Sequence, residues 1–118
     1  KIIKGFISNK KRTLITEGYG SYSIEDENSK LSSYTLNDIQ SIYDIQFDTL
    51  MIDCEGFMET FLDENPQLYD QIKLVIFETD KPQRCNYAKI ERCLHNKGFN
   101  CLYKEKGLPG FRVYRKFN

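Results

Sequence analysis

Phe47-Asp48-Thr49-Leu50-Met51-Ile52-Asp53-Cys54-Glu55-Gly56 decides the fold. Its apolar run, Leu50 to Ile52, ends in acid, small residue, acid and then glycine. A continuous apolar run predicts a strand buried on both faces, as in a parallel sheet flanked by helices. Side chains two apart on a strand point the same way, which puts Asp53 and Glu55 on one side. Gly56 permits a sharp turn, and Phe57-Met58…Phe61-Leu62 then recurs at helical spacing. The stretch reads as strand, acidic tip and helix. In open α/β sheets the carboxyl ends of the strands are where ligands bind.

Downstream the design repeats. Lys73-Leu74-Val75-Ile76-Phe77-Glu78-Thr79-Asp80 is a second apolar run ending in acid–x–acid, closed by Lys81-Pro82. Between the two, the first helix runs to about Glu64, where Asn65-Pro66 ends it, and Pro66 to Tyr69 starts a further short turn. Residues 86–97 predict a helix with Tyr87, Ile90 and Leu94 on one face, closed by Gly98 and Phe99. Residues 100–104 and 111–117 predict two final strands, with Phe111, Val113 and Phe117 alternating with Arg112, Tyr114 and Lys116 as in an edge hairpin.

Upstream, Thr35-Leu36-Asn37-Asp38 matches an N-terminal capping pattern, and Leu36, Ile39 and Ile42 follow at helical spacing to about residues 43–45. Residues 2–7 and 13–16 predict strands joined by the polar turn Ser8-Asn9-Lys10-Lys11-Arg12, a hairpin. Gly18-Tyr19-Gly20-Ser21-Tyr22-Ser23 and the polar stretch to Ser33 predict a loop or lid. Gly-Tyr-Gly lacks a third glycine opening a helix and is no phosphate cradle. The whole is α/β: helix, strand, helix, strand, helix and hairpin, the second half of a doubly wound sheet. The chain opens Lys-Ile-Ile-Lys, already strand-like, and residues 1–118 read as one partial domain, a fragment of a larger one.

The 118 residues carry no net charge, but the charge is unevenly placed. Lys1 to Thr16 holds five basic residues and no acid; Glu17 to Asp80 holds fifteen acids against Lys30 and Lys73; the remainder holds ten bases against Glu91 and Glu105. Solvated faces explain this more simply than an anion-binding surface. An acidic strand mouth repels a polyanion, so no nucleic acid partner is expected. The four cysteines lack C-x-x-C spacing and His95 is the lone histidine, which argues against structural zinc and for reduced thiols in the cytoplasm. No apolar stretch approaches the roughly 20 residues of a membrane span, so no membrane partner is expected.

Asp53, Glu55, Glu78 and Asp80 form the candidate site. Neighbouring strands lie about 4.8 Å apart, with about 6.6 Å between residues i and i+2, so four terminal carboxylates share one small patch. Such a patch either takes up a proton, with a raised pKa, or holds a cation. A hard divalent metal such as magnesium or calcium, with Asp53 and Asp80 as ligands, and a positively charged ligand both satisfy the second case. A carboxylate of raised pKa serves as a general base toward a hydroxyl. Each acid also has a plainer role: Asp53 or Glu55 as a helix cap, and Asp80 as a turn former. His95 reads as a surface cation at a helix C-terminus, Tyr19 and Tyr22 as loop residues, and Cys54 as a small packed hydrophobe.

Tyr34-Thr35-Leu36-Asn37-Asp38, then Phe47 to Gly56, then Leu74-Val75-Ile76-Phe77-Glu78 resembles the C-terminal half of the FkbM-type methyltransferases. In that family a "T-L-D-D" helix start precedes "I-D-x-L-K-I-D-x-E-G-x-E" and a strand ending in Glu. Lys4-Gly5-Phe6-Ile7-Ser8 with Arg12-Thr13-Leu14-Ile15 is similar to the short hairpin before that helix, and Gly18 to Ser23 to its glycine/serine loop. Met51 departs from the family's lysine, and the glycine-rich turn that holds S-adenosylmethionine would lie before Lys1. The resemblance implies the C-terminal half of a Rossmann-like class I methyltransferase sheet, mostly parallel with a C-terminal antiparallel hairpin. It further implies S-adenosylmethionine as cofactor, O-methylation of a sugar, glycan or small hydroxyl-bearing metabolite, and inactivity without the N-terminal half. Asp53 takes the main acidic role in that chemistry, with Glu55 and Glu78 supporting it.

A different class of function is also consistent with these residues. A half-sheet leaves an uncovered strand edge that must pair with further chain or with a partner, which describes a non-catalytic assembly module. A metal-dependent phosphoesterase is disfavoured, because no lysine stands two residues after the acid of Glu78-Thr79-Asp80-Lys81.

Overall fold

The structure, a computed structural model, describes residues 1–117. It divides into two compact units, Lys1–Gln46 and Phe47–Asn118.

In the first unit, β1 (Phe6–Ile7) pairs in parallel with β4 (Ser33–Tyr34), while β2 (Arg12–Glu17) pairs antiparallel with β3 (Gly20–Glu25). The expected hairpin between residues 2–7 and 13–16 therefore does not form. Ser8 N–H donates to the Tyr34 carbonyl at 2.9 Å, which continues the β1–β4 ladder through the supposed turn. Gly5 makes that ladder sterically possible: a Cβ there would lie 2.5 Å from the Ser32 carbonyl oxygen. The true hairpin turns at Gly18-Tyr19, with Glu17 opposite Gly20. The expected loop over Gly18 to Ser23 is thus mostly strand β3, in the two-residue hairpin geometry. Helix α1 (Leu36–Tyr43) starts as expected. Thr35 Oγ1 accepts from the Asp38 N–H at 3.0 Å, and the Asp38 carboxylate accepts from the Thr35 N–H at 3.2 Å.

The second unit holds β5 (Thr49–Ile52), α2 (Met58–Glu64), α3 (Leu68–Gln71), β6 (Leu74–Glu78), α4 (Tyr87–Asn96), β7 (Phe99–Lys104) and β8 (Phe111–Lys116). Its four-stranded sheet has the order β5-β6-β8-β7. Only β5 and β6 run parallel; β6–β8 and β8–β7 are antiparallel, so the sheet is mixed rather than mostly parallel. The C-terminal hairpin is present as expected, but β8 lies inside the sheet and β7 forms the edge.

That placement reverses the side-chain parity expected for β8. Arg112 and Tyr114 are buried, and Phe111 is 42% exposed. Register aligns Phe77 with Arg112 and Val75 with Tyr114, so these four share one face with Leu50 and Ile52. Phe77, 0% exposed, stacks on Tyr114 and on Tyr87 of α4. The Tyr114 hydroxyl donates to Glu91 of α4 at 2.6 Å, and Lys116 Nζ donates to the Tyr69 carbonyl of α3 at 2.8 Å. Helices α3 and α4 thus lie on this face, and the opposite face carries Met51, Ile76, Val113 and Phe111. Met51 is 77% exposed, so β5 is not buried on both faces. An apolar run cannot distinguish a central strand from an edge strand, because pairing partners are chosen elsewhere in the chain.

Glu59 ties α2 to the start of α4. Its carboxylate accepts from the Asn86 N–H and from Lys89 Nζ, both at 3.0 Å. These bonds, the Asn86 N–H foremost, hold the Glu59 carboxyl below its ordinary pKa. A depressed folded-state value makes the contribution complete above the unfolded value of about 4.3, and it is lost as pH falls through the lower folded value. Glu59→Gln is expected to lower stability by about 1 kcal/mol at neutral pH, a discounted figure because the site is partly exposed. Urea titrations of variant and parent are expected to converge in acid. A gap of equal size at both ends of the pH range would exclude the carboxylate as its source.

Candidate functional site

The loops after β5 and β6 form the site. Strand β5 stops at Ile52, and Cys54-Glu55-Gly56-Phe57 makes a tight turn closed by a Phe57 N–H to Cys54 carbonyl bond of 3.1 Å. Glu55 (φ +53°) and Gly56 (φ +90°), its two central residues, are both left-handed, as in the primed turns. Glu55 bears roughly 1–2 kcal/mol of steric penalty for this. The acids at the β5 tip are therefore placed by a turn, not by strand alternation.

After β6, Lys81 is also left-handed (φ +46°), and the Arg84 N–H closes a turn on the Lys81 carbonyl at 2.9 Å. The two loop tips touch at Gly56, where a Cβ would lie 2.9 Å from Arg84 Cβ and 3.2 Å from Lys81 Cβ. Glycine is thus required twice, for its φ and for its lack of a side chain. Gly56→Ala is expected to destabilise by about 2–3 kcal/mol, since it adds backbone strain to a clash between Cβ atoms. Chemical denaturation measures this, and a loss below about 0.5 kcal/mol would mean that the tips do not meet.

Carboxylate oxygens of Asp53, Glu55 and Asp80 all lie within 4.8 Å of one another. Asp53 and Asp80, expected as metal ligands, are thus together, with Glu55 beside them. Glu78, the last residue of β6, lies close enough to this group to feel its charge. Its pKa is raised by desolvation first, and then by the charges of Asp53, Asp80 and Glu55. Crowding by like charges thus favours the protonated form of Glu78.

Two groups that the sequence did not reveal hold this patch. The Tyr87 hydroxyl donates to the Asp80 backbone carbonyl and to Asp80 Oδ1, the latter at 2.9 Å. Asp80 Oδ2 is buried and has no hydrogen-bond partner. Burial, followed by the Asp80 carboxylate, raises the Tyr87 phenol pKa and keeps it a donor. Lys81 Nζ stands 3.6 Å from Glu55 Oε2, a half-exposed pair that supplies one positive charge. Helical periodicity marked Tyr87 as a core residue, and no local pattern signals a phenol that reaches back seven positions.

Tyr19 is fully exposed at the β2–β3 turn, Tyr22 sits on β3 opposite Ile15, and His95 is exposed in the last turn of α4. Burial pushes the Cys54 thiol up to about 12, so it stays protonated and is no nucleophile. All four cysteines are free thiols. Among the described residues, no helix is long and apolar enough to cross a membrane. Comparison with known proteins finds no matching family model, no matching curated relative and no matching solved structure.

Proposed function

We propose that this chain is the C-terminal part of an S-adenosylmethionine-dependent O-methyltransferase with a Rossmann-like sheet, acting on a hydroxyl of a sugar or other small metabolite. One observation carries the proposal: the loops that follow two adjacent parallel strands, β5 and β6, bring Asp53, Glu55 and Asp80 to one patch at the carboxyl ends of those strands. Ligand sites in open α/β sheets form at such ends. Support also comes from the sheet order, in which a parallel pair is followed by an antiparallel hairpin, and from the sequence resemblance.

As an alternative to Asp53 acting as base, the donor set of three carboxylates suits a hard divalent cation, which would be held by Asp53, Glu55 and Asp80 and would acidify a bound hydroxyl. On this reading S-adenosylmethionine is held mainly by chain outside residues 1–118, since among the described residues no strand leads into a glycine-rich turn that opens a helix. The cofactor supplies a methyl group on a sulfonium cation. This chain's contribution is to the acceptor. On this reading Asp53, exposed beside Glu55 and Asp80, takes the hydroxyl proton, and the nearby negative charge of the patch favours its uptake. Tyr87 fixes Asp80, and the negative patch favours a cationic donor nearby.

Titration calorimetry tests the proposal. The 118-residue chain alone is expected to give no heat with S-adenosylmethionine, and the same chain joined to the sequence upstream of Lys1 is expected to bind it. Absence of binding by the extended protein would remove the methyltransferase reading. A second reading then gains weight, that of an assembly module. It is favoured by β5, which has no strand partner on its outer side among the described residues and leaves Met51 exposed.

A further inference from the structure

A cleft of about 660 Å³ opens between the first turn of α4 and the β7–β8 loop, and none of the four patch acids lines it. Its size lies in the range of small-molecule sites, roughly 300–1,000 Å³. Pro82 and Leu108 supply apolar walls, and Thr79, Tyr87, Glu91 and Arg112 line it with polar groups. We propose that this cleft binds the carboxylate or phosphate group of a small organic ligand.

Arg112 carries the proposal. It is 5% exposed, yet it lines the cleft. Its Nη1 donates to the Glu105 carbonyl at 2.8 Å and to the Phe111 carbonyl at 3.1 Å. Its Nε is buried without a hydrogen-bond partner, and Glu91 Oε1 stands 3.5 Å away as counter-charge. A buried donor without a hydrogen-bond acceptor is costly, and an anion in the cleft adds a charge partner for the same guanidinium.

The acids in the lining are already engaged. Glu91 accepts from the Tyr114 hydroxyl at 2.6 Å and pairs with Lys104 at 3.4 Å as well as with Arg112. Glu59 is taken by Asn86 and Lys89. Tyr87 and Ala88, also in the lining, lie in the first turn of the ten-residue helix α4, whose N–H groups have no intrahelical acceptor. The helix N-terminus thus adds partial positive charge beside the guanidinium. Anionic groups are bound by such convergence of Arg donors and helix N–H groups.

The inference does not depend on methyl transfer, and its test uses no cofactor. Nitrogen–proton correlation spectra of the chain are recorded with inorganic phosphate and with glucuronate, and with glucose as the neutral control. Saturable shifts centred on the amides of Arg84 and Ala88 are expected with the two anions and not with glucose. Ala88→Asp places a carboxylate at an exposed first-turn position, where it stabilises the helix while repelling an anion. It is expected to weaken anion binding at least about tenfold, a change of about 1.4 kcal/mol. Arg112→Gln is expected to weaken it similarly. Ala88→Asp remains decisive if the loss of the loop bonds unfolds the Arg112 variant. No saturable shift up to about 50 mM, equal shifts with glucose, or binding unchanged in Ala88→Asp would each overturn the proposal.

Discussion

Phe77→Ala is expected to cost the second unit about 3–5 kcal/mol, a large part of the roughly 5–15 kcal/mol that stabilises a typical domain. Phe77 is 0% exposed on β6, the strand between β5 and β8. Its ring centroid lies 6.1 Å from that of Tyr87 at an interplanar angle of 11°, and 6.1 Å from that of Tyr114 at 13°. Truncation removes the middle ring of a three-ring stack and leaves a cavity that two tethered tyrosines cannot close. Tyr114 is anchored through Glu91 and Tyr87 through Asp80. Urea unfolding followed by circular dichroism gives the midpoint and slope, and Phe77→Leu is expected to recover most of the loss. A cost below about 1 kcal/mol would mean that the stack is not packed as described. The substitution also loosens Tyr87 from Asp80, so core and site fail together.

If the proposed methyl transfer holds, Asp53→Asn is expected to slow it by about 10²–10⁴-fold, the usual contribution of a positioned general base. The fall belongs in kcat, with the KM for the acceptor little changed, because the proton moves only in the transition state. Folding is expected to be unaffected within about 0.5 kcal/mol, since Asp53 is exposed and its neighbours are acids whose repulsion asparagine relieves. Loss of rate with intact folding supports Asp53 as the base. A rate within about twofold of the parent would take Asp53 out of the chemistry and leave the patch as a structural or metal-binding feature.

The acid cluster was visible in the sequence as a repeated ending on two apolar runs, but its geometry arises differently. Alternation along a strand would have aligned Asp53 with Glu55. The observed placement comes from a turn with two left-handed residues and from Gly56 meeting Arg84 across the loops. The contribution of Tyr87 was hidden because a phenol at the start of a helix has the same local pattern whether it fills a core or also holds a carboxylate.

What residues 1–118 determined by themselves was local. The capping box at Thr35 and Asp38, the end of α2 at Asn65-Pro66, the close of α4 before Gly98 and the apolar runs of β5 and β6 each depend on neighbours within a few positions. Hydrogen bonds and steric limits of that range are written into consecutive residues. Only the tertiary structure decided that β1 pairs with β4 instead of β2, that β8 lies inside the sheet with Arg112 and Tyr114 buried, and that β5 is an edge. Strand pairing joins segments far apart in the chain, and which face of a strand is buried follows from what packs on it. Periodicity alone does not contain that choice.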